Sequence, residues 1–157
     1  MPEKETLEKA QQDASEGKSP STQAGEFVHE EIEHVKQGKH GARSTKQAIA
    51  IGLSKARRAG VKLPPPKAGA SEKTKKQAQH DSEKGENPTD REPSPTRSRA
   101  TTEVLQREGH AAASHEALSE QGRSSARHRS AASRKEAAAK AVRTKGKAAA
   151  RTRARKG

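Results

Sequence analysis

The chain has 157 residues, carries 33 Lys and Arg against 20 Asp and Glu, and has a net charge of +13. Leu, Ile, Val and Phe together number 14, Cys, Trp and Tyr are absent, and 27 residues are Ala. Burying so little bulky apolar area does not offset ~1 to 2 kcal/mol of backbone entropy per ordered residue, so composition predicts a mostly intrinsically disordered chain that is all-α where ordered.

Residues 1–18 are acidic, lack an apolar signal core and read as a disordered arm. A short helical hairpin is expected over residues 19–66, with helices at about 20–37 and 45–59. Ser19-Pro20 is an N-cap followed by Pro at the first helical position, and Phe27, Val28, Ile32 and Val35 recur at helical spacing before Gly38. Ser44-Thr45-Lys46-Gln47 has the pattern of a reciprocal cap. Ile49, Leu53 and Ala56 then form an apolar stripe, Gly60 suits a left-handed C-terminal cap, and Pro64-Pro65-Pro66 ends the helix. Phe27, Val28, Ile32 and Val35 are expected to meet Ile49, Ile51, Leu53 and Val61. A unit of about 40 residues is small enough to need support, which points to self-association through the hairpin.

Residues 67–97 read as a disordered linker rich in Lys, Gln, Ser, Glu and Pro. Residues 98–122 hold short helices anchored by Val104, Leu105 and Leu118. Residues 123–157 form a basic tail of Ala, Lys and Arg, in which Glu136-Ala137-Ala138-Ala139-Lys140 favours transient helix. A residue-level echo links Ala10-Gln11-Gln12-Asp13 with Ala78-Gln79-His80-Asp81, which chance explains in so biased a composition.

Charge is segregated by sign. Residues 1–42 carry a net −4, residues 43–80 a net +9, residues 81–120 a net −4 and residues 121–157 a net +12. Arg43, Lys46, Lys55, Arg57, Arg58, Lys62 and Lys67 surround the second helix. Arg123, Arg127, Arg129, Arg134, Lys135, Lys140, Arg143, Lys145, Lys147, Arg151, Arg153, Arg155 and Lys156 occupy the tail. Such one-signed segments attract polyanions. The expected partner is DNA, with RNA as a second polymer, bound through phosphates without sequence preference. A single Phe leaves little base stacking to a single-strand binder.

Lys46 to Gly60, with Glu26-Phe27 and Gly38-Lys39-His40-Gly41 before it, resembles a group of small, basic bacterial proteins of unassigned function, over roughly residues 24–66. By composition the tail resembles the C-terminal tails of linker histones and of histone-like bacterial proteins. These resemblances imply a bacterial origin and a nucleoid-associated role in the cytoplasm. The competing reading is a hydrophilic stress protectant resembling late-embryogenesis-abundant proteins; such protectants interleave charge signs, and this chain separates them.

Catalysis has no visible support, and no cofactor or metal is expected. His29 and His34 are five residues apart, about 140° around a helix, whereas a zincin pair needs i and i+4 on one face. His110 and His115 share that offset, and no phosphate-cradling loop or nucleophile elbow occurs. The longest apolar run, Ala48 to Leu53, has six residues, against the ~20 that span a bilayer.

Overall fold

A computed structural model describes residues 2–67, 69–87 and 94–154. It overturns the expectation of disorder. Seven α-helices, one 3-10 turn and no strand occur among the described residues. The elements are α1 (Lys4–Ser15), α2 (Pro20–Lys36), α3 (Thr45–Arg58), α4 (Glu72–Glu86), α5 (Pro95–Gln106), the 3-10 turn (Ala111–Ala113), α6 (His115–Arg127) and α7 (Ala131–Ala154). Two compact units divide them, Met1–Leu118 and Ser119–Gly157. No helix among the described residues is long and apolar enough to cross a membrane.

The first unit is built around the antiparallel pair α2 and α3. Pro20 sits at the first helical position after Ser19. Ser44 Oγ accepts from the Gln47 backbone N–H at 3.2 Å, while the Gln47 side chain reaches one residue further back than a reciprocal cap requires and accepts from the Arg43 N–H at 2.8 Å. Gly38 and Gly60 take positive φ just beyond the two C-termini, the geometry that ends a helix at least cost.

Of the expected stripe Ile49, Leu53 and Ala56, Ala56 is fully buried, Leu53 packs half-buried against the core and Ile49 is half-buried. The buried residues of α3 are Thr45, Ala48, Gly52 and Ala56, one helical turn apart in series. Small side chains let the two backbones approach, and the bulk comes from α2, where Phe27 and Val35 are fully buried. A Cβ at Gly52 would lie 2.7 Å from Val28 Cα and 3.0 Å from Phe27 O. Gly52→Ala is therefore expected to lower stability by about 1 to 3 kcal/mol through overpacking, although Ala favours an isolated helix over Gly by ~1 kcal/mol. The urea midpoint measures it, and a stabilised variant would mean that the two helices part easily.

Segments expected to be disordered close this core. α1 lies against α2 and buries Thr6, Ala10 and Asp13. α4 lies against α3 and buries Ala78 and Asp81. The echo between residues 10–13 and 78–81 thus coincides with equivalent burial of an Ala and an Asp. Asp81 accepts from Ser54 Oγ at 2.6 Å, Arg58 Nε at 2.7 Å and Gln77 Nε2 at 3.1 Å. Burial pushes its pKa up, but these hydrogen bonds and the Arg58 charge outweigh burial and hold the carboxyl below its ordinary value. The far segment 105–113 covers the connection between α2 and α3. Gly41 N–H donates to Leu105 O at 2.8 Å, Ala42 N–H to Gly109 O at 3.0 Å and Thr45 Oγ1 to Ala112 O at 2.6 Å. A Cβ at Gly41 would fall 1.9 Å from Glu108 O, so that approach admits only glycine. Within the chain, α1, α4 and the segment 105–113 all pack on the small hairpin.

Disorder was inferred by counting bulky apolar side chains. The fold relies instead on close Ala and Gly packing, on the high helix propensity of Ala, and on buried carboxylates that are individually paired.

In the second unit, Ser130 Oγ accepts from Ser133 N–H at 3.1 Å ahead of α7, and Arg134 Nη1 donates to Ala126 O and Arg129 O, each at 3.2 Å. α7 is a continuous helix of 24 residues where transient helix was expected, since Ala, Lys and Arg favour helix at every position.

Candidate nucleic-acid interface

The basic residues of the first unit fall into two classes. Lys55 is committed inward: its Nζ lies 3.0 Å from Glu30 Oε1 and 2.7 Å from Glu31 Oε2, with the side chain 21% exposed. The Glu31 contact is an ion pair outside hydrogen-bond geometry. Burial lowers the Lys55 pKa, yet the two carboxylates prevail and raise it above the ordinary lysine value. Glu30 mirrors it: burial raises its pKa, and hydrogen bonds from Thr6, the Glu3 N–H and Lys55 bring it below the ordinary value. Arg58 is held by Asp81, and Arg57 Nη2 donates to Pro64 O at 3.3 Å. Lys55 and Arg58, expected to contact phosphate, thus hold α2, α3 and α4 together, and their charge is largely neutralised where they stand.

Arg43, Lys46, Lys62 and Lys67 are exposed. Lys73 and Lys76 of α4 are exposed as well, while Lys75 is half-buried and pairs with Glu72 at 2.7 Å. Sequence reasoning passed over these three because it read residues 67–97 as linker. The signal that finds them is the Ser71 cap, whose Oγ accepts from Thr74 N–H at 3.2 Å. Beside them lies a groove of about 390 Å³ between the proline segment and α4, lined by Arg57, Leu63, Pro65, Pro66, Lys75 and Ala78 among others.

In the second unit Arg123, Arg127, Arg129, Arg134, Lys135 and Arg143 are exposed. Lys140 is 70% exposed with Glu136 at 4.0 Å, a surface pair of small energetic weight. Lys145, Lys147, Arg151 and Arg153 fall within α7, whereas Arg155 and Lys156 lie outside the described residues. At 1.5 Å per residue α7 is about 36 Å long, close to one turn of B-form DNA. Its basic positions follow no helical period in the sequence.

No curated protein and no solved structure matches the chain. Residues 17–67, which hold α2, the connection carrying His40 and α3, match a family of unknown function, DUF6496.

Proposed function

We propose that the protein binds nucleic acid, duplex DNA in the first place, by neutralising phosphates without reading sequence, in a nucleoid-associated role. The observation that carries this reading is residues 121–157, with 13 basic residues against one acid. Every basic residue there whose side chain is described is exposed. Each phosphate neutralised releases condensed counterions, so affinity falls as salt rises. Exposed Lys46, Lys62, Lys73 and Lys76 add further cations in the first unit. The acidic residues contribute less competition than their number suggests, because Glu30, Glu31 and Asp81 are buried against Lys55 and Arg58.

Salt titration of binding to a labelled random duplex and to RNA of equal length tests the proposal. With about 8 to 10 tail cations on phosphate, log affinity should fall against log salt with a slope of about −7 to −9. A chain ending at Gln121 should lose most of that slope. The duplex-to-RNA ratio assigns the polymer, and absence of binding at about 50 to 150 mM salt overturns the reading.

A further inference from the structure

His34 near the end of α2 and His40 in the connection to α3 are brought together by the turn at Gly38, with ring centroids 5.9 Å apart in an edge-on arrangement. One ring nitrogen of each and a carboxylate oxygen of Glu31 lie within 4.8 Å of one another. These groups are sheltered: the side chains of Glu31, His34 and His40 are 1%, 13% and 15% exposed.

Proton placement follows from the partners. His40 Nδ1 lies 3.0 Å from Gly41 O, which can only accept, so Nδ1 carries a proton. In neutral His40 the lone pair is then on Nε2, and Nε2 faces Glu31 Oε1 at 3.2 Å. Two lone pairs turned toward each other in a buried site require a positive charge between them. His34 Nε2 lies 2.9 Å from Glu3 Oε1, an acceptor that orients its ring. The second Glu31 oxygen is 2.7 Å from Lys55 Nζ, which fixes the carboxylate. An imidazole whose other nitrogen is held by a carbonyl or carboxylate, beside a carboxylate that is itself paired, is the outer-shell arrangement that orients metal ligands.

We propose that Glu31, His34 and His40 form a binding site for a divalent transition ion, with zinc as the natural occupant. Two imidazoles and one carboxylate suit zinc, cobalt or nickel, whereas magnesium and calcium prefer all-oxygen sites. The ion fastens the α2–α3 connection to the body of α2. Glu3, whose Oε1 touches both His34 and Lys39, holds the His34 ring from outside the site.

Isothermal titration of zinc chloride into tag-free full-length protein is the test, with cobalt absorption to report the coordination number. We expect one equivalent to bind and the melting temperature to rise by about 5 °C at saturation. His34→Ala and His40→Ala should each weaken binding at least ~10- to 100-fold. His34→Gln and His40→Gln, which keep volume and a hydrogen-bonding amide but lack the imidazole, should lose it equally. His29→Ala, at an exposed position of the same helix, should bind like the parent. Absence of saturable binding, or unchanged affinity in the His34/His40 double variant, overturns the site and leaves a proton as the bridge between His40 and Glu31.

Discussion

Phe27→Ala is expected to destabilise the first unit by about 3 to 5 kcal/mol. Phe27 is fully buried and is the one bulky side chain at the centre of a cluster made of Ala10, Ala24, Ala56 and Val61, with Leu7, Leu53 and Leu63 packed at its edge. α1 and α3 meet α2 around this ring. Alanine neighbours have no side-chain freedom with which to refill the space, so the cavity persists and its cost adds to the lost transfer energy. Against a total of about 5 to 15 kcal/mol for an ordinary domain, the loss leaves a protein near the edge of folding. Chemical denaturation with circular dichroism measures it. A loss under ~1 kcal/mol would show that the cluster collapses onto the gap.

Lys55→Met should be nearly as damaging, by about 3 to 5 kcal/mol at neutral pH, although it keeps most of the volume. Its removal takes the one lysine from Glu30 and Glu31, whose side chains are 3% and 1% exposed. The dependence on pH differs between parent and variant. In the parent, the Glu30 carboxyl sits below its ordinary value, so its contribution is present above that ordinary value and is lost as pH falls through the lowered one. In the variant, Glu30 loses the hydrogen bond and charge of Lys55 while burial still raises its pKa, so less of that acid-sensitive contribution remains to be lost. The stability gap between the two proteins should therefore narrow from neutral pH down to about pH 4. A gap independent of pH would assign the loss to packing rather than charge.

Helices α2 and α3 were legible because their ends are written in residue types with few other uses: Ser19-Pro20, Ser44 with Gln47, Gly38 and Gly60. The inward face of α3 was not. Reading Ile49 and Leu53 as the centre of the face assumes that the largest side chains point furthest inward, whereas Leu53 stays half-buried at the edge and Gly52 faces α2, where backbone proximity excludes a larger residue. α1 and α4 were invisible for a related reason. Their buried anchors are Ala10, Asp13, Ala78 and Asp81, and no apolar periodicity marks an Ala and an Asp. The paired carboxylates are equally silent in one dimension, since Glu30 meets Lys55 across 25 residues and Asp81 meets Arg58 across 23. The charge blocks correctly locate the cations but cannot tell Lys55, enclosed by acids, from exposed Lys46. The Glu31, His34 and His40 cluster escaped because the spacing test compared His29 with His34 along a helix, while the pairing runs through a turn.

The backbone bonds from Gly41 and Ala42 to Leu105 and Gly109 impose an order of assembly. As the chain leaves the ribosome, α1, α2 and α3 can pack as soon as Leu63 is clear, since every residue of the Phe27 cluster is then made. The strap over their connection is synthesised some sixty residues later, and Thr45 waits for Ala112 across 67 positions. At about 5 to 20 residues per second the interval is several seconds, long compared with local helix packing. Throughout it the Gly41 and Ala42 amides face water, and His40 is reachable by any ion in the surrounding solution before the strap closes over the turn.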